Sequence, residues 1–236
     1  MRIISALVLL LLSMTAAAQQ SYLVDWDEIG EEAIQHFVEL IRIDSSNPPG
    51  NETEVAEYVK SVLAAEGIES ELYALDPTRA NLVARIRGNG KKRPILIMGH
   101  TDVVGVQPEK WYADPFSGLR EDGFIYGRGT LDDKDNVAAG MMVVMMLKRF
   151  GVELDRDIIF LAESGEEGTP EVGINFMVAE HYDAIDAEYC IAEGGQNVIE
   201  DDVVTRVGIE TTEKMPRRVT LVARGTPGHG SRPTLQ

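Results

Sequence analysis

Residues 157–170 read DIIFLAESGEEGTP. The apolar run through Ile158, Ile159 and Phe160 predicts a strand buried on both faces, as in a sheet with helices packed on either side. The run ends in a glycine-flanked turn that carries Glu166 and Glu167 side by side. Adjacent carboxylates repel, so the pair either sits in water on a surface loop or faces something positive. The rest of the chain decides between these.

Upstream, the apolar positions Ile29, Ala33, Phe37, Leu40 and Ile41 recur at helical spacing and predict a helix over 25–43. SSNPPGN then breaks the chain. A second helix is expected over 52–66, burying Val55, Val59, Val62 and Leu63, with Asn51 as its cap and Gly67 as its stop. NLVARIRG reads as an alternating strand, PILIMGH as a continuous buried one and GFIYGRG as a short one. A long helix is expected over 136–150, then the 157–164 strand, a helix over 172–181 and a strand in AEYCIAEGG. Strands alternating with helices give the fold class: α/β, a mixed and largely parallel sheet with helices on both faces. After Gly194 the texture changes, and DVVTRVGIE and RRVTLVARG read as antiparallel, half-exposed strands. The domain boundary is placed near Glu210, giving a catalytic domain over 19–209 and the beginning of a smaller α+β domain over 210–236.

The chain has 236 residues, 44% hydrophobic and 26% charged, which fits a globular protein. Its 39 acidic residues against 22 basic ones give a net charge of −17, which argues against nucleic acid and anionic membrane surfaces as partners. The N-terminus, MRIISALVLLLLSMTAAAQQ, combines Arg2, an apolar run from Ile3 to Leu12 and an A-x-A arrangement at Ala16 and Ala18. That is the pattern of a secretory signal peptide over 1–18, predicting a periplasmic or secreted protein that leaves the membrane after cleavage. Cys190, the only cysteine, rules out an internal disulfide and reads as a small core residue.

The polar residues converge. The strand PILIMGH ends in GHTDVV, which puts His100 and Asp102 on one face. YGRGTLDDKDN places Asp132, Asp133 and Asp135 at the mouth of the long helix, and CIAEGG places Glu193 after a further strand. In open α/β sheets, sites form outside the carboxyl ends of the strands. Three strand ends and one helix entrance thus send acids toward one region, and a metal centre there explains the paired glutamates. Taken singly, His100 also fits a satisfied buried histidine, and the aspartates fit helix-start acids favoured by the macrodipole. Only their conjunction is explained by a metal. Mixed nitrogen and oxygen donors without thiolates suit zinc, cobalt or manganese, whereas calcium takes oxygen. HExxH, CxxC, GxSxG and P-loop motifs are absent from the sequence.

At these residues the chain resembles the co-catalytic zinc exopeptidases and deacylases typified by carboxypeptidase G, aminoacylase, acetylornithine deacetylase and succinyl-diaminopimelate desuccinylase. SSNPPGNE, GHTDVV, YGRGTLDDKDN, SGEEG, AEGG and GTPGHGSRP carry the resemblance in family order. It implies two Zn2+ per full-length chain, with Co2+ or Mn2+ as substitutes. His100 and Glu193 would hold one ion, Glu167 the other, and Asp132 would bridge both. Glu166 would be the general base, and Asp102 would hydrogen-bond the His100 ring and fix its tautomer. His229, in the second domain, would help stabilise the tetrahedral intermediate, often across a homodimer formed through that domain. Asp133 falls where the family varies, and Asp135 replaces a frequent glycine and inherits no role.

The resemblance also implies a longer chain, with a last zinc-binding histidine beyond Gln236; His36 and His181 lie on helices away from any matching motif. The activity implied is amide or peptide hydrolysis by a zinc carboxypeptidase or an N-acyl amino acid deacylase, acting on a peptide or N-acyl amino acid. Two alternatives stay open: an aminopeptidase of related type, and a truncated, non-catalytic metal-binding protein.

Overall fold

The computed structural model describes residues 22–209, 219–222, 224, 228 and 231. The signal-like segment 1–18 and His229 lie outside the described residues. In chain order the elements are α1 (Trp26–Arg42), β1 (Ser46–Asn47), α2 (Glu52–Ala65), β2 (Ser70–Tyr73), β3 (Asn81–Ile86), β4 (Ile95–His100), β5 (Val103–Val104) and a 3-10 turn at Pro108–Lys110. There follow β6 (Leu119–Glu121), β7 (Phe124–Tyr126), α3 (Lys134–Arg149), β8 (Ile158–Glu163), α4 (Ile174–Glu180), α5 (Tyr182–Ile185), β9 (Tyr189–Ile191), β10 (Asn197–Glu200) and β11 (Val203–Val207). Among the described residues no helix is long and apolar enough to cross a membrane.

The central sheet has the order β2-β3-β8-β4-β9. β8, β4 and β9 run parallel, and β3 is antiparallel to both of its neighbours, β2 and β8. Four of the five strands therefore point the same way, as the alternation of strands and helices predicted. β8 lies in the middle and every one of its residues is buried. Its side chains alternate between two cores. Ile158, Phe160 and Ala162 join residues of α1, α2 and α3 on one face, while Ile159 and Leu161 meet Phe176, Met177 and Ile185 on the other. Burying each of these large side chains contributes about 1.5–3 kcal/mol, so this one strand ties both helical layers together. Gly140 lets α3 come close to it: a Cβ there would stand 2.6 Å from Phe160 Cε2.

Several sequence expectations change. NLVARIRG does not alternate; the first four residues of β3 are all buried, because the strand sits between β2 and β8 with core on both faces. Asn51 gives α2 no side-chain cap and donates to Glu54 instead, while Gly67 stops the helix at a φ of 65°. The helix expected over 172–181 is α4, and a separate one-turn helix, α5, follows it directly after His181. Cys190 is exposed rather than in the core, because β9 is the last strand of the sheet and Tyr189 and Ile191 are exposed beside it.

Contacts divide the chain into Met1–Glu193 and Gly194–Gln236, at the change of texture after Gly194 and upstream of Glu210. In the second unit, DVVTRVGIE supplies β11, as expected. Among the described residues it pairs antiparallel with the preceding β10 through a two-residue turn at Asp201 and Asp202, and the expected strand RRVTLVARG lies partly outside the described residues.

Candidate metal centre

His100 ends β4 and is 2% exposed. Its Nδ1 lies 2.9 Å from the backbone carbonyl of Asp102 and 3.4 Å from that residue's carboxylate. An Nδ1–H donated to the carbonyl leaves Nε2 as the nitrogen available to a metal. Around Nε2 stand Asp132 Oδ1 at 2.9 Å, Glu193 Oε1 at 3.9 Å and Glu166 Oε2 at 4.0 Å. Two groups of ligand atoms, each within 4.8 Å of one another, share this histidine: His100, Asp132 and Glu167, and His100, Asp133 and Glu193. β4, β8 and β9 run parallel, so their carboxyl ends reach the same edge. The chain leaving each strand there delivers one part of the cluster.

The electrostatics mark the place as short of positive charge. Burial disfavours a charged His100, yet the carboxylates of Asp102, Asp133 and Glu193 outweigh it and push the ring up to about 10. Burial raises Glu193 to about 7, reinforced by Asp133, Glu166 and Asp132. Glu167 is likewise raised, first by burial and then by Asp132. Carboxylates held this close resist ionising together, and a divalent cation among them would relieve all of them at once. One imidazole nitrogen with several carboxylate oxygens and no thiolate suits zinc, cobalt or manganese, so the residues present fit the group.

From the sequence, Asp102 is expected to hydrogen-bond the His100 ring; its backbone carbonyl takes the short contact to Nδ1, while its carboxylate stands 3.4 Å away and has further partners. It is fully buried, and its two oxygens accept the backbone N–H groups of Glu166 at 3.1 Å and Glu167 at 3.0 Å. Burial works against its charge, but the His100 ring, the Asn47 amide and the Glu167 N–H hold its pKa below the ordinary value. Asp102 therefore ties the histidine strand to the turn bearing the two glutamates.

Sequence reasoning missed the part played by Asp133. It is 1% exposed, its Oδ2 accepts the His100 backbone N–H at 2.9 Å, and its Oδ1 receives the Asn136 amide. With both oxygens occupied inside the protein, it is better placed to support the site than to ligate. Asp132, with a side chain 58% exposed, keeps its carboxylate turned to the cluster. Lys134, fully buried, sends its Nζ to the carbonyls of Leu40 at 2.9 Å and Ile43 at 2.6 Å, closing the end of α1. Glu163 was also overlooked; it is buried beside the centre, accepts the Ile174 N–H, and is raised by burial to about 7. The signal for these was available, since each interrupts an apolar or motif context, but its meaning was not.

The unassigned histidines stay outside the cluster. His36 bonds Tyr58, and His181 lies against the rings of Tyr73 and Phe176.

One imidazole and four acids, gathered from the carboxyl ends of parallel strands and the entrance of α3, form a site with the donors to hold a divalent cation. Residues 96–228 match Peptidase family M20/M25/M40, and the chain belongs to that family. A Staphylococcus epidermidis protein named "Probable succinyl-diaminopimelate desuccinylase" is 34% identical over 154 residues, which cover 64% of this chain and 36% of that one. The human N-fatty-acyl-amino acid synthase/hydrolase PM20D1 is 28% identical over 221 residues, covering 86% of this chain and 42% of that one. Among solved structures, the M20 family metallo-carboxypeptidase Sso-CP2 from Sulfolobus solfataricus shares 26% identity with a TM-score of 0.61, over 69% of this chain and 37% of that one. The chain thus spans 36% and 42% of the two curated relatives named.

Proposed function

We propose that the protein is a metal-dependent hydrolase of amide or peptide bonds, a zinc carboxypeptidase or an N-acyl amino acid deacylase. The observation that carries this is the acid pair itself: Glu166 lies 4.0 Å from His100 Nε2, yet it belongs to neither three-residue ligand group, whereas Glu167 belongs to one of them. A base beside a cation site is needed for chemistry and not for binding alone. The names of the relatives, a desuccinylase, an N-acyl amino acid hydrolase and a metallo-carboxypeptidase, all describe enzymes of such bonds.

His100, Asp132, Glu167 and Glu193 would hold two Zn2+ ions, which when bound supply Lewis acidity toward the scissile carbonyl and bring the pKa of water toward about 7. The Glu166 carboxylate accepts the proton of the attacking water and returns it to the leaving amine. The Asp102 carboxylate holds the backbone on which Glu166 is carried, so the base stays in reach of the cluster. In this reading His229 of the second unit assists the tetrahedral intermediate, and that unit forms the homodimer. The N-terminal apolar run supports export to the periplasm or beyond.

Dialysis against a strong chelator should abolish hydrolysis of a panel of dipeptides and N-acyl amino acids. Added Zn2+, Co2+ or Mn2+ should restore it, and Ca2+ should not. Full activity in the metal-stripped protein would refute the proposal.

A further inference from the structure

A second polar network lies behind the Glu166–Glu167 turn, and no part of it is needed to hold a metal. Arg79 and Glu52 form a buried ion pair, 5% and 0% exposed. The guanidinium Nε donates to both Glu52 oxygens, at 3.1 and 2.9 Å, and a second nitrogen adds a further bond to Oε1. The remaining nitrogen reaches out of the pair and donates to Thr169 Oγ1 at 2.7 Å. The same hydroxyl oxygen accepts the Asn47 side-chain amide at 2.9 Å, and that amide also donates to Asp102 Oδ2 at 2.7 Å. Space for the guanidinium is left by Gly50, at a φ of 90°, where a Cβ would stand 2.3 Å from Arg79 Nε.

Thr169 is also the far end of the turn. Its N–H donates to the Gly165 carbonyl at 2.9 Å, which closes a loop with Glu166 and Glu167 at its tip. That loop is therefore gripped twice. Asp102 takes the N–H groups of the two glutamates, and the Thr169 hydroxyl is pinned by Arg79 and Asn47. Buried hydrogen bonds of this kind are strong and directional, and a charged donor makes them more so.

We propose that Arg79 is a positioning residue for the metal centre, acting through Thr169 and Asn47 to fix the backbone that presents Glu166 and Glu167. The Glu52 carboxylate compensates its charge, so the guanidinium can stay buried while one nitrogen is left for the loop. This rests on the reading of the cluster as a metal site. It adds that the precision of that site is set by an ion pair on a different part of the chain.

The test uses Thr169→Val, which keeps the shape and removes the hydroxyl, Thr169→Ser, which restores the hydroxyl, and Arg79→Lys, which keeps the charge for Glu52 but cannot form the same fork. Zn2+ affinity is read on the folded full chain by competition with a chromophoric chelator, and kcat and KM are read alongside. Thr169→Val and Arg79→Lys should each weaken Zn2+ binding about 10–100-fold, the range of an outer-sphere partner. Their kcat should fall with KM nearly unchanged, and Thr169→Ser should stay close to the parent. Parent-like Zn2+ affinity in both Thr169→Val and Arg79→Lys would overturn the proposal. So would a Thr169→Ser protein as impaired as Thr169→Val, because packing and not the hydroxyl would then be responsible. The affinity measurement needs no substrate. A parent that binds Zn2+ but hydrolyses nothing would count against the proposed function, while the comparison of variants would still decide this one.

Discussion

Glu166→Gln should leave Zn2+ binding near the parent level and lower turnover by about 10²–10⁴-fold, the usual worth of general acid–base assistance. The substitution keeps size and shape but removes the ability to take a proton. The Glu166 backbone N–H, which anchors the turn to Asp102 at 3.1 Å, is unaffected, so the geometry of the turn should survive. KM should change less than kcat, as expected when the lost interaction matters mainly in the transition state. Glu167→Gln makes the contrast. Glu167 is grouped with His100 and Asp132, so a neutral amide there should weaken metal binding first, and excess Zn2+ should recover part of the activity. If Zn2+ rescues Glu166→Gln and not Glu167→Gln, the two roles are reversed.

In the full-length protein, Asp132→Ala should take metal content from about two ions per chain to less than one, with loss of nearly all activity. Its carboxylate stands 2.9 Å from His100 Nε2, and it is the acid that the family resemblance makes common to both ions. Asp133→Asn supplies the control next door. Asp133 spends its oxygens on the His100 N–H and the Asn136 amide, so its loss should loosen the end of β4 and lower the melting temperature more than the metal stoichiometry. Elemental analysis of the two purified variants decides the matter. Full occupancy in Asp132→Ala, or depletion confined to Asp133→Asn, would transfer the bridging role to Asp133.

Much of this was legible in the sequence because the period and the punctuation were clear. The apolar run ahead of Gly-Glu-Glu-Gly predicts a strand buried on both faces, and β8 is that strand. His100, Asp132, Glu167 and Glu193 are brought together as their positions after strands and before a helix implied. What the sequence hid depends on long-range pairing. Neighbours on both sides bury the first four residues of β3, and an edge position exposes Cys190; neither fact is written in local pattern. The polar supports were hidden for the same reason. Arg79 and Glu52, 27 residues apart, look like ordinary surface charges until the fold brings them together out of water. His100 and Asp133 are 33 residues apart and meet through a backbone N–H, which no side-chain motif can announce.

Lys134 has a consequence for how the molecule opens. Its ammonium closes the last turn of α1, while the residue before it, Asp133, holds the amide of His100. Fraying at the end of α1 would strand a buried ammonium without its carbonyl partners, which links that fraying to release of the loop behind the histidine. The end of α1 and the end of β4 therefore belong to one cooperative unit. In hydrogen exchange their slow amides should share a single opening free energy and a single denaturant dependence. The candidate metal site is thus coupled to a helix that supplies none of its ligands.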